Sequence, residues 1–222
     1  LDDFLFELKE ESIQITASDL ETTMQVTVPA AKAEEDGRVA IPAKMLLDAL
    51  KAFPETPIGF SVNRQTFGIE LAAGDGKYRL AGHNPDDYPE LPELENTQRL
   101  SLGTHILADA IQRTLFAAGN DELRPVMSGV FCQFSADDLT FVATDAHKLV
   151  RYRRTDVMAP ESASFILPKK PLNQLKNLLA KETDDVLVEY NTENAHFAFG
   201  NIRLICRLIE GKYPDYESVI PN

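Results

Sequence analysis

The feature that most limits what this chain can fold into is an internal repeat. In "FLFELKEESIQITASD", Phe4, Phe6 and Leu8 alternate with Leu5, Glu7 and Lys9, a polar turn follows, and Ile13, Ile15 and Ala17 alternate again. This is the period of a half-buried antiparallel hairpin. "GVFCQFSADDLTFVATD" reads the same way through Val130, Cys132 and Phe134, a turn at 136–138, and Leu139, Phe141 and Ala143. Asp19 falls on Asp145, an offset of 126 that both hairpins keep without a gap.

The match continues beyond the hairpins. "VAIPAKMLLDALKAF" (39–53) falls on "FILPKKPLNQLKNLL" (165–179), with Ile41-Pro42 on Leu167-Pro168 and Lys44 on Lys170. Each half is a short strand, a proline at the first turn and an amphipathic helix. Alternating strands follow in both, and both units close on Tyr-Pro, at Tyr88-Pro89 and Tyr213-Pro214. Similarity over about 90 residues at a near-constant offset marks a duplicated domain. The second unit carries a preface, residues 100–129, with a helical stretch whose Ile106, Leu107, Ala110, Ile111 and Leu115 share a face. If the units are equivalent, about 30 residues are expected before Leu1. Each complete unit then reads strand, helix, three strands, twice over, an α+β architecture with helices over antiparallel sheets. The expected domains are 1–97 and 98–222.

Composition narrows the function classes. The chain has 222 residues, 44% of them hydrophobic, and a formal charge of -13. That acidity argues against a protein that coats nucleic acid, so any contact with DNA must rest on local charge. Segments 169–181, 43–53 and 104–118 supply it. The first carries Lys169, Lys170, Lys176 and Lys181 without an acid, the second Lys44 and Lys51 against Asp48, and the third Arg113 against Asp109. Such helix faces are ordinarily solvated surface when taken alone. Cys132 and Cys206 lie in apolar strands without zinc-ligand spacing and read as buried free thiols; no metal or cofactor is expected. No apolar run of about 18 residues occurs, and the acidic, alternating opening is unlike a secretory signal. The expectation is a soluble, cytoplasmic protein with no membrane partner.

"TDAHKLV" (144–150) puts Asp145 two residues from His147, the pairing a proton-transfer site would use. Asp145 recurs as Asp19 after the matching strand, whereas His147 falls on Glu21. A structural acceptor at a corner is therefore the expected role of Asp145. No catalytic constellation surrounds the pair: the sequence has no H-E-x-x-H, no G-x-S-x-G and no phosphate-binding glycine loop. A nucleic-acid hydrolase using Asp145 and His147 is one alternative function, and an interaction scaffold that never meets DNA is another.

"ATDAHKLV", "ILPKKPL" and "EGKYPDYESVIPN", with the echoes "ASDLETTM" and "AIPAKML", resemble the bacterial sliding-clamp family, the beta subunits of DNA polymerase III. The resemblance runs over essentially the whole chain. It implies a processivity factor without catalysis of its own, built of three such domains per chain and closing as a homodimer around duplex DNA. Sheets lie outside and helices line a central channel, so Lys44, Lys51, Arg113, Lys169, Lys170, Lys176 and Lys181 become candidate DNA contacts, independent of sequence. This chain would supply most of domain one and all of domain two, with domain three following Asn222. The resemblance also implies a peptide-binding groove of Met127, Thr144, Ala146, His147, Lys148, Leu149, Pro214, Ser218 and Val219. There the polymerase III catalytic subunit, the clamp loader and other proteins with clamp-binding motifs insert short segments ending in apolar residues. Two positions depart from the family pattern: Ala146, where glycine is common, and Ser218, where a basic residue can occur.

Overall fold

The computed structural model describes residues 1–30, 32–92, 94–121 and 123–221. The chain divides into two compact units, Leu1–Leu91 and Pro92–Asn222. In the first, β1 (Asp3–Lys9), β2 (Ser12–Ser18), β3 (Thr22–Pro29) and β4 (Gly37–Pro42) precede α1 (Ala43–Ala52), and β5 (Gly59–Val62), β6 (Gly68–Ala73) and β7 (Gly76–Ala81) follow it. The strands run antiparallel in the orders β4-β1-β2-β3 and β5-β6-β7. Helix α1 turns Leu46 and Ala49 inward onto Val39, Ile41, Ile69, Leu71 and Leu80, with Phe4 and Phe6 packed against them. Two sheets and one helix thus close a single core.

The second unit follows the expected plan. It runs β8 (Gln98–Gly103), α2 (Thr104–Thr114), β9 (Gly129–Phe134), β10 (Leu139–Thr144) and β11 (Leu149–Arg154), then β12 (Ala163–Pro168), α3 (Lys169–Leu179), β13 (Asp185–Tyr190), β14 (Asn194–Phe199) and β15 (Ile202–Arg207). Its sheets are ordered β11-β10-β9-β12 and β15-β14-β13-β8. Helix α3 buries Leu172, Leu175 and Leu179, the i, i+3, i+7 stripe of an amphipathic helix. Each such leucine removed from water stabilises the fold by about 1.5–3 kcal/mol. Lys176, at the border of that stripe, is exposed. Cys132 and Cys206 are buried and unpaired, and burial pushes the Cys206 thiol up to about 12. No described helix is long and apolar enough to cross a membrane.

Three details differ from the sequence reading. Pro42 and Pro168 stand at the N-caps, as the last residues of β4 and β12, rather than inside the first turn. Lys181 lies beyond the end of α3. The larger difference concerns the first hairpin, whose second face is also covered: Leu5 and its cross-strand partner Thr16 are 8% and 0% exposed. A strap explains this. The His83 and Ala40 backbones bond to each other, and the Tyr88 hydroxyl donates to the Thr16 carbonyl at 3.2 Å. The second unit repeats the device. Ile209 N–H donates to the Ile166 carbonyl at 3.0 Å, and the Tyr213 hydroxyl to the Val142 carbonyl at 3.5 Å. The recurring Tyr-Pro is therefore the anchor of a strap laid over the outward face of one sheet in each unit, β4-β1-β2-β3 and β11-β10-β9-β12.

Candidate peptide-binding surface and basic helix faces

The corner "TDAHKLV" is built by its own side chains. Asp145 Oδ1 accepts from the backbone N–H of His147 at 3.0 Å and of Lys148 at 2.9 Å, while Oδ2 pairs with the Lys148 ammonium. The Thr144 hydroxyl donates to the Lys148 carbonyl at 2.7 Å and accepts from Ala146 N–H at 3.1 Å. These bonds, led by that from the Lys148 side chain, hold the Asp145 carboxyl far below the usual carboxylate range. The first unit has the same corner. Asp19 Oδ1 accepts from Glu21 and Thr22 N–H at 3.0 and 2.7 Å, and the Ser18 hydroxyl accepts from Leu20 N–H at 3.1 Å. The corner is an Asx turn inherited by duplication, and its carboxylate is engaged by backbone and Lys148.

In both corners the second residue of the turn stands in the left-handed region, Leu20 at φ 78° and Ala146 at φ 74°. A side chain with a Cβ costs about 1 kcal/mol in that region. Ala146→Gly is expected to stabilise the second unit by about 0.5–1 kcal/mol, the steric relief outweighing the entropy glycine loses. A rise in the urea midpoint with unchanged slope is the expected reading; a fall would mean that the corner does not strain residue 146.

Beyond the corner the chain meets an apolar cluster on the outward face of the β11-β10-β9-β12 sheet. Val142, Ile166, Tyr213 and Tyr216 form its buried part, and Val126, Phe131, Leu149, Ile209 and Ile220 pack around them. Phe131 stacks on Tyr213 with ring centroids 4.6 Å apart and interplanar angle 5°. Burial pushes the Tyr213 phenol up to about 12. Leu149 sits half-buried against this cluster, and Val219, ending the 3-10 turn Glu217–Val219, is 67% exposed at the same segment's end.

The other expected groove residues fall into two groups. Pro214 lies half-buried between the two tyrosines, and Met127 ends the 3-10 turn Pro125–Met127 with its carbonyl accepting from Gly119 N–H at 2.8 Å. Thr144 and Lys148 are committed to the corner itself, Ala146 and His147 are exposed on it, and the Ser218 hydroxyl donates to the Asp215 carbonyl at 2.8 Å. Sequence reasoning did not single out Val126, Phe131, Tyr213 or Tyr216. The repeated Tyr-Pro was the available signal for Tyr213.

The basic residues divide likewise. Lys44, Lys51, Lys170, Lys176 and Lys181 are exposed. Lys169 instead donates to the Ala118 carbonyl at 3.1 Å and to Asn120 Oδ1 at 2.8 Å, tying α3 to the loop after α2. Arg113 lies 4.0 Å from Asp109 and 5.5 Å from the centre of the Tyr152 ring. Among the described residues no group of three or more His, Cys, Asp and Glu stands together as a metal site.

Comparison with known proteins places these features in one family. The profile of the DNA polymerase III beta subunit N-terminal domain matches residues 1–92, and that of the central domain residues 101–215. The beta sliding clamp of Staphylococcus epidermidis is 30% identical over 221 residues, covering 96% of this chain and 58% of its own length. That of Staphylococcus aureus strain Mu50 aligns with the same identity and coverage. The chain thus spans less than two thirds of the relatives it matches. Among solved structures, the beta subunit from Pseudomonas aeruginosa superposes with a TM-score of 0.93 at 27% identity, over 100% of this chain and 61% of that one. A clamp from Bartonella birtlesii, bound to griselimycin, superposes with a TM-score of 0.90 at 27% identity, covering 100% and 60%. With both domain profiles matched in order and the duplicated units in place, the chain belongs to the DNA polymerase III beta subunit family, the bacterial beta sliding clamps.

Proposed function

We propose that the protein is a processivity clamp: it encircles duplex DNA as a homodimer and tethers the replicative polymerase, the clamp loader and other motif-bearing proteins, performing no reaction itself. The observation that carries this reading is the apolar floor beneath Leu149, with exposed Val219 on the segment that closes it. Such a surface accepts the apolar end of a short peptide. Tethering then acts through effective concentration, since a polymerase held on the ring rebinds the primer end before it diffuses away. Asp145 supports the non-catalytic role, because a carboxylate held by two backbone N–H groups and an ammonium is a poor base.

Charge segregation supports the DNA contact. The three helices carry Lys44, Lys51, Arg113, Lys169, Lys170 and Lys176 against only Asp48 and Asp109, in a chain whose net charge is -13. A few phosphate contacts give attraction that is weak, salt-sensitive and blind to sequence, which a sliding ring requires. In the full-length protein, changing Lys44, Lys51 and Lys176 together to Glu is expected to reduce retention on circular duplex DNA. The slope of log affinity against log salt should become shallower by about 2–3, near 0.9 for each phosphate that is no longer neutralised. Retention and slope equal to the parent's would remove these helices from the DNA interface. Lys169→Glu belongs to another class, since it would first unseat the loop at Ala118 and Asn120.

A further inference from the structure

The duplication supplies an internal comparison for one arginine. In the first unit Thr16 and Gln25 are cross-strand partners, and the Gln25 amide donates to the Thr16 hydroxyl at 3.3 Å. At an offset of 126 the same places hold Val142 and Arg151, again cross-strand partners. Valine offers no hydroxyl, so the cross-strand bond that the Gln25 amide makes has no counterpart at Arg151. The nearest acid is Glu217, with Oε1 3.8 Å from Arg151 Nη1, beyond hydrogen-bond reach; the two side chains are 68% and 39% exposed. Arg153, one step further along the same face, is by contrast held by Asp138, to which its Nε donates at 2.7 Å.

Leu149, Arg151 and Arg153 share the outward face of β11 because strand side chains alternate. Leu149 reaches the apolar cluster, and Arg151, about 7 Å further along the strand, borders an open depression of about 550 Å³ lined also by Gln133, Thr140, Ser164 and Tyr216. Tyr216 belongs to both places: its ring packs in the cluster, and its hydroxyl donates to Gln133 Oε1. The apolar floor and the polar depression are one continuous surface.

We propose that Arg151 is a specificity residue of the peptide groove. It takes the carboxylate of an acidic residue two positions from the peptide's apolar anchor, and Glu217 is the internal occupant that this carboxylate displaces. The inference rests on the groove reading given above. A planar guanidinium suits a carboxylate, which it can grip through two parallel hydrogen bonds. The long, solvated contact with Glu217 is weak and easily exchanged. Glu217 also sits on the same 3-10 turn as Val219, so a peptide that engages one meets the other.

The test uses the full-length protein and three labelled peptides with one apolar end, carrying Glu two residues before the anchor, Glu two residues after it, or Gln at both places. One of the Glu peptides is expected to bind about threefold more tightly than the Gln peptide at low salt, an advantage that fades as salt rises. Arg151→Gln should abolish that advantage and leave the Gln peptide's affinity unchanged. Glu217→Gln should enlarge it by about twofold or more. Equal losses for all peptides in Arg151→Gln would overturn the proposal while leaving the groove in place. So would indifference of the Glu peptides to Glu217→Gln, or an Arg151→Gln defect confined to DNA retention. If no peptide binds the parent, the groove reading falls as well.

Discussion

Val219→Asp is expected to weaken binding of a labelled clamp-binding peptide by at least about tenfold, with the melting curve unchanged. Interface energy concentrates in a few desolvated anchors worth about 2 kcal/mol or more each, and about 1.4 kcal/mol is a factor of ten. Val219 is 67% exposed, so a carboxylate there meets water in the free protein and loses that water only when an apolar peptide end covers it. Leu149→Asp should weaken binding at least as much but also lower stability, since Leu149 packs against Val142, Ile166 and the two tyrosines. His147→Ala should have a small effect, because its exposed ring exchanges a polar contact with water. Parent-like affinity in a folded Val219→Asp variant would place the peptide elsewhere.

Tyr213→Ala is expected to cost the second unit about 3–5 kcal/mol, the range for deleting a buried aromatic ring. The ring is 6% exposed, stacks on Phe131 and carries the hydroxyl that fastens the strap to the Val142 carbonyl. Tyr213→Phe keeps the stack and loses only that bond, which predicts a loss of about 1 kcal/mol. Because the strap supplies Tyr216 and Ile220 to the apolar floor, the alanine variant should also lose peptide binding under conditions where it is still folded. The corresponding Tyr88→Ala should cost less, its ring being only half-buried. Denaturant midpoints for the three variants order them; equal midpoints for Tyr213→Ala and the parent would mean that the strap carries no stability.

Much of this arrangement is local, and local arrangements can be read along a chain. Hairpins repeat every second residue, α3 repeats its leucines at helical spacing, and an Asx turn is closed by one aspartate and the backbone N–H groups two and three residues on. The role of Asp145 was accordingly legible from its recurrence at Asp19. The groove residues were a different matter. Thr144, Ala146, His147, Lys148 and Leu149 form one stretch, but while Thr144 and Lys148 find their partners within the corner, Leu149 becomes apolar floor only through partners dozens of residues away, Tyr213 and Tyr216 among them.

Repeat, strand and helix order, the duplicated corner and the basic bias of the helices are thus determined by the sequence itself, because each depends on neighbours within a few positions. The tertiary structure alone decided that the outward face of the hairpin-bearing sheet in each unit is covered, since Leu5 and Thr16 are buried only when Tyr88 returns across them, and Val142 only when Tyr213 does. It also decided which cations are committed within the fold. Lys169 and Lys176 are alike in sequence, yet one is tied to Ala118 and Asn120 and the other projects into solvent. Side-chain charge is written in the chain, but whether a charge is available is a matter of what long-range packing sets beside it.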